Sequence, residues 1–269
     1  MKRKLLLFSL VLMMSFGIKA QRFAVQPGII QFNAEPGITQ TRTLKITNIS
    51  DKKITFQAYF ADWLRDSLGG HEYYRADTLS RSCANWVVLN KNLIEVEPQA
   101  TEDVVVVLKT PFDAKQFDQM KWAMLFLQTV QEKDSVAGNS KELKTEIREL
   151  MRVGIHIYQT PPTVNKVEAK VDYFMHEEKD SIKNSYSFKV ENVGDVMLNC
   201  KSYITLTNIT TGQEFKLERL EFPMFPEGKR LLKFVIPDNI PKGKYSALAV
   251  LDIGEDEELQ AIEKTIDVT

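Results

Sequence analysis

The stretch Thr43-Leu44-Lys45-Ile46-Thr47-Asn48-Ile49-Ser50-Asp51 alternates apolar with polar side chains and then breaks off in turn-forming residues. Successive side chains of a strand point to opposite faces, so a period of two marks a strand with one face buried and one wet. A helix of similar composition would space its apolar residues three and four apart. The same pattern returns at Thr55–Ala61, Asp103–Lys109 and Trp122–Val130. The last two are nearly continuous apolar runs, as expected of strands in the middle of a sandwich.

Beyond Pro161 and Pro162 the pattern starts again, with strands predicted at Ser185–Glu191, Lys201–Thr207, Phe215–Glu221, Arg230–Ile236, Tyr245–Ile253 and Ile262–Val268. Turn residues separate them at Asn192–Asp195, Thr211-Gly212, Pro226–Gly228 and Pro237–Gly243. Short strands at a spacing of roughly 8 to 12 residues are the signature of a sandwich. Two such series predict an all-β chain of two immunoglobulin-like β-sandwich domains. Each proline fixes its own φ and restricts the residue before it, so the join reads as a stiff, proline-containing hinge.

The first residues carry Lys2, Arg3 and Lys4, then an apolar run from Leu5 to Phe16, then Gly17, Ile18, Lys19 and Ala20. This is the pattern of a secretory signal peptide, too short in its apolar part to span a bilayer. The expected division is therefore signal peptide 1–20, first domain 21–160 and second domain 161–269. The residue directly after Ala20 is Gln21 and not a cysteine that could carry a lipid anchor at that site, and no stable membrane insertion is expected after cleavage. The formal charge of −1 becomes −5 once the four basic groups of residues 1–20 are removed. No basic patch remains to predict nucleic acid as a partner.

Export places Cys83 and Cys200 where a disulfide can survive, but a bridge would have to link the two domains. Two buried, unpaired thiols are the expected state. His71, His156 and His176 read as lying in a loop, a strand and an acidic stretch, with no metal-ligand spacing on one element. No nucleophile elbow, phosphate-binding glycine loop or zinc motif occurs. No catalytic, cofactor-binding or metal-binding residues are therefore expected.

Glu255–Glu258 reads as a solvated hairpin tip, and the Asn48-Ile49-Ser50 and Asn208-Ile209-Thr210 triplets match a glycosylation acceptor only formally. Trp63, Trp86 and Trp122 sit among aliphatic residues and read as core. Asp66–Ser80 reads as a long loop or hairpin, and Lys133–Lys144 as a mobile loop before the closing strand of the first domain.

Taken in order, the first half resembles the N-terminal domain of periplasmic pilus chaperones of the PapD-like superfamily. The residues that carry this are Ile29–Phe32, Pro36-Gly37, Leu44–Asn48, Val96-Glu97-Pro98, Asp103–Leu108 before Pro111, Trp122–Leu127 and Val153–Tyr158. The second half is similar to Ig-like domains of bacterial surface proteins of the WxL-interacting type, through Pro226–Arg230, Pro237 and Gly243-Lys244-Tyr245.

The chaperone resemblance implies that the closing strand of the first domain pairs with an exported, fimbrial-type subunit, while a basic pair in the interdomain cleft grips the subunit's terminal carboxylate. Matched without gaps, the positions of that pair fall on Ile29 and His156, and Arg152 offers itself as a substitute cation. Residues Ile147, Met151, Val153, Ile155 and Ile157 form an apolar row interrupted by Glu149. Such a row serves either a partner's groove or the domain's own core. The partner-binding residues expected are Ile147, Glu149, Met151, Arg152, Val153, Ile155 and His156. The expectation is a non-catalytic periplasmic chaperone that assists assembly of a surface structure. The alternative is an envelope or cell-surface module that binds glycan or wall components.

Overall fold

A computed structural model of the protein describes residues 22–113, 117–130, 150–176, 185–254 and 257–269. The signal peptide at 1–20, the loop at 133–144, Ile147 and Glu149 lie outside the described residues. No helix among the described residues is long and apolar enough to cross a membrane.

The described residues between 23 and 159 build ten strands: β1 (Phe23–Gln26), β2 (Ile29–Phe32), β3 (Thr39–Asn48), β4 (Ile54–Arg65), β5 (His71–Arg75), β6 (Val87–Leu89), β7 (Leu93–Val96), β8 (Thr101–Lys109), β9 (Lys121–Val130) and β10 (Arg152–Gln159). One sheet runs β1-β3-β8-β6 and the other β2-β10-β9-β4-β5, with β7 also on β4. The chain changes sheet between β1 and β2, so that β2 lies parallel to β10. Alternation along β3 has the predicted consequence: Leu44 and Ile46 are fully buried while Lys45 is exposed. Between the sheets they meet Phe56, Leu125, Ile155 and Ile157.

Residues 169–268 form the second sandwich from β11 (Ala169–His176), β12 (Ser185–Asn192), β13 (Leu198–Asn208), β14 (Glu214–Lys216), β15 (Leu220–Met224), β16 (Lys229–Val235), β17 (Gly243–Asp252) and β18 (Gln260–Val268). Its sheets run β11-β12-β16 and β14-β13-β17-β18, with β15 also on β13. Phe188, Leu206, Tyr245 and Leu251 fill the space between them.

The same turn device closes one strand in each sandwich. Asn48, at the end of β3, donates through Nδ2 to the carbonyls of Lys52 (2.7 Å) and Val96 (3.0 Å) and accepts the Ser50 N–H at 2.9 Å. Asn192, at the end of β12, donates to Val196 (2.8 Å) and Met224 (2.9 Å) and accepts the Gly194 N–H at 2.9 Å. With its amide consumed in this way and fully buried, Asn48 offers no glycosylation site.

Several expectations need revising. His71 lies on a strand, because Asp66–Ser80 opens with a hairpin in which Arg65 pairs with His71. His176 also lies on a strand, the end of β11. The predicted strand Phe215–Glu221 is two short strands that pair with separate parts of β13. The edge strand β5 escapes sequence detection because all five of its residues are exposed and no alternation results.

Candidate functional site

The outer face of the β2-β10-β9-β4-β5 sheet holds the site. Along β10, Ile155 and Ile157 point into the sandwich with 0% exposure, and Met151 and Val153 pack partly buried against the same core. Arg152, His156 and Tyr158 alternate with them and therefore share the outer face with Gly154. A Cβ at Gly154 would lie 2.9 Å from the Met124 sulfur and 3.1 Å from Phe126, so the glycine lets β9 side chains lie close over β10. The Arg152 guanidinium covers the Phe126 ring at 4.4 Å and reaches the Tyr59 hydroxyl at 3.4 Å.

The edge of β10 is only half covered. Its ladder with β9 runs from Arg152 to Gln159, but the ladder with β2 begins at His156. Backbone groups alternate sides along a strand: Met151 bonds to Thr129 on β9, whereas the His156 N–H donates to Gly28 on the β2 side. The N–H and C=O of Arg152 and Gly154 therefore face a side with no strand beside it among the described residues. Leu150, next along the chain, is 62% exposed.

The β4–β5 hairpin brings His71 over Trp63 to His156. The Trp63 ring centre lies 5.0 Å from that of His71 and 4.9 Å from that of His156, and the two Nε2 atoms are 3.4 Å apart. Burial, then His71, then Arg65 push the His156 imidazole down to about 4. Burial and Arg65 lower His71 as well. Both rings are therefore neutral near pH 7, and His156 is no cation.

Trp63 continues into the contact between the domains. Phe225, from the turn before β16, stands edge-on to Trp63 at 4.9 Å, lies 4.9 Å from Trp122 and 5.5 Å from Tyr158. Val164, in the link after Pro161-Pro162, belongs to the same cluster. Trp63 and Trp122 are thus buried as expected, but between the domains and not inside a sandwich. The Trp122 indole donates to the Trp63 carbonyl at 2.8 Å. Asp62 is fully buried and accepts from the Thr78 and Leu79 N–H groups at 2.7 and 2.8 Å and from the Ser82 hydroxyl at 2.5 Å. These bonds fix the segment that carries Arg81, whose guanidinium meets Glu227 of the second domain at 2.6 Å.

The hairpin tip also crosses the gap. The Leu231 N–H donates to Ser67 at 2.8 Å, and Arg230 donates to the Leu68 carbonyl at 3.3 Å. Gly69, at φ +97°, has no room for a side chain because the Arg230 guanidinium occupies that space. Beneath the hairpin lies a cavity of about 370 Å³, walled by Trp63, Leu79, Trp122, Met224 and Phe225 and carrying Arg65, Arg81 and Arg230.

The fold therefore places Arg152, Val153, Ile155 and His156 on β10, with Met151 just before it, and splits them between the outer face and the core. Sequence reasoning missed Arg65, His71, Arg81, Phe225 and Arg230. Only Phe225 left a trace, in the apolar run Phe222-Pro223-Met224-Phe225-Pro226, which breaks the alternation at a turn. The others come together only through the hairpin and the interdomain contact. Among the described residues no group of three or more histidine, cysteine or acidic side chains could hold a metal ion.

No protein-family model and no curated protein sequence matches the chain. Solved structures do match its fold. The crystal structure of the class 5 fimbriae chaperone CfaA superposes with a TM-score of 0.50 at 12% identity, covering 90% of this chain and 98% of that one. A structure described as a chaperone–tip adhesin complex in the biogenesis of CFA/I fimbriae gives a TM-score of 0.51 at 12% identity, covering 91% and 98%. The chain thus shares the two-domain fold of PapD-like fimbrial chaperones. Neither match adds to the likeness of the second half to WxL-interacting domains.

Proposed function

We propose that this protein is a non-catalytic periplasmic chaperone that holds an exported, fimbrial-type polypeptide as an added strand along β10. The observation that carries the reading is the edge at Arg152 and Gly154, which no strand among the described residues covers, in a sheet whose β10 is otherwise paired on both sides. An exposed strand edge is a template for another chain: main-chain bonds supply affinity and alternate side chains supply specificity. Leu150, exposed beside that edge, adds an apolar contact. The shared fold with a fimbrial chaperone supports the choice of partner.

Proline scanning of β10 tests the reading, because proline removes an N–H without adding charge. Arg152→Pro deletes a donor on the open edge and leaves the ladder with β9 intact. It is expected to lower recovery of the bound polypeptide at least tenfold while the protein stays folded. Val153→Pro deletes a donor bonded to β9 and is expected to unfold the first domain. Undiminished recovery with folded Arg152→Pro sinks the reading.

A further inference from the structure

The β4–β5 hairpin sets one imidazole against another. Within its turn, Asp66 Oδ1 accepts the Leu68 and Gly70 N–H groups, each at 2.8 Å, and Arg65 and His71 are Cα partners at its base. That turn fixes where the His71 side chain leaves β5. His156 leaves β10 on the same outer face, and the two Nε2 atoms meet at 3.4 Å. Packing holds both rings in place: Trp63 lies against each, Tyr73 stacks on His71 at 5.8 Å between ring centres, and Tyr158 stands 5.9 Å from His156. Among the described residues neither imidazole has a hydrogen-bond partner other than its neighbour.

Two nitrogens at this spacing suit a shared metal ion. Metal–imidazole bonds of about 2.05 Å drawn from nitrogens 3.4 Å apart meet at about 110°, close to the tetrahedral angle. Neighbouring ligands of a square plane, the geometry that Cu(II) and Ni(II) favour, would need nitrogens about 2.9 Å apart, and a linear pair about 4.1 Å. The spacing therefore selects an ion with a filled d shell, Cu(I) or Zn(II). His71 is exposed and His156 half-buried, so the pair is open to solvent on the hairpin side.

Charge chooses between the two. No cysteine, acidic side chain or third histidine joins the pair among the described residues, so the donors are neutral. The Arg65 guanidinium lies 5.6 Å from the centre of the Trp63 ring that both imidazoles touch, and its repulsion of a divalent ion is twice that of a monovalent one. Zn(II) is ordinarily four-coordinate, whereas Cu(I) tolerates fewer donors. We infer that His71 and His156 bind Cu(I) through their Nε2 atoms, with the rest of its coordination completed from outside the chain. The ion ties the exposed β5 to β10 across the outer face of the sheet. This inference stands on the histidine pair and not on strand addition along β10, so each can fail without the other.

Competition against a chromophoric Cu(I) chelator, bathocuproine disulfonate, tests the site on the mature full-length chain, with the copper kept reduced by ascorbate in the absence of oxygen. A single Cu(I) per chain is expected, bound at least tenfold more tightly than Zn(II) is in calorimetry, and quenching tryptophan fluorescence through Trp63. His71→Gln and His156→Gln are each expected to weaken Cu(I) binding at least tenfold, and His176→Gln less than twofold. His71 lies on an exposed edge strand, so His71→Gln carries the test should His156→Gln misfold. Cu(I) bound undiminished by folded His71→Gln assigns it to other donors, such as the thiols of Cys83 and Cys200, and overturns the proposal. Zn(II) binding as tight as Cu(I) overturns it too, as does the absence of Cu(I) binding, which leaves the two rings a hydrogen-bonded pair only.

Discussion

Ile29 and His156 are Cα partners across the parallel ladder that joins β2 to β10. These are the positions at which the chaperone resemblance places a pair of cleft cations. One is an exposed aliphatic side chain and the other an imidazole kept neutral by burial and by His71. Positive charge at the contact between the two sandwiches comes from other residues, among them Arg65, on β4, and Arg230, on β16. The cleft is therefore basic from a different pair of strands, with the β4–β5 hairpin laid across it.

The neutral histidine pair predicts acid sensitivity. An imidazole with a folded pKa below its unfolded value binds protons more readily once unfolded, so stability rises with pH in between. His156 has its full contribution above about 6.5 and loses it as the pH falls to about 4. His71, lowered in the same direction, adds to the slope. With solvent screening the loss is on the order of 1 kcal/mol. Urea midpoints measured from pH 7.5 to 4 are expected to fall in the wild type more steeply than in His156→Gln.

Phe225 joins the domains through three aromatic rings of the first. Phe225→Ala removes those contacts at a cost of about 3 kcal/mol, because the cavity cannot close around a rigid aromatic cluster. Calorimetric unfolding is expected to separate into two transitions, and protease cleavage near Thr163 to quicken. A single unshifted transition contradicts this role.

Asn48 and Asn192 should be equally intolerant of change. Replacing either by alanine strands two carbonyls and one N–H inside its turn. Each substitution is expected to cost about 2 kcal/mol, read as a lowered denaturant midpoint of its own domain.

Both thiols are free and buried, and burial pushes each up to about 12. Neither is expected to react with a thiol reagent in the folded protein, and both should react in denaturant. Labelling of the folded chain within minutes at pH 8 contradicts that placement.

How much of this was legible in the sequence depends on whether a residue's environment is local. Leu44, Lys45 and Ile46 declare their strand because one face of it is wet and the other is core. Trp122 to Val130 reads as a central strand because both of its faces are covered, one by the sandwich and one in part by the second domain. His71 and Tyr73 carry no such pattern, since an edge strand exposed throughout has nothing to alternate. The closing strand was read correctly in outline, but one sequence could not say that Ile155 and Ile157 face their own core. Arg65 and Arg230 are 165 residues apart in the numbering and meet only because a hairpin reaches across to β16.

The central claim concerns the edge of β10, and photo-crosslinking in living cells addresses it most directly. A photoreactive residue placed at Leu150 or Arg152, with Tyr173 on β11 as the control, is followed by mass spectrometry of the adducts. Capture of one exported polypeptide at 150 and 152, absent at 173, is the predicted result. A folded protein that yields no specific adduct at either position, or the same adducts at all three, contradicts the account.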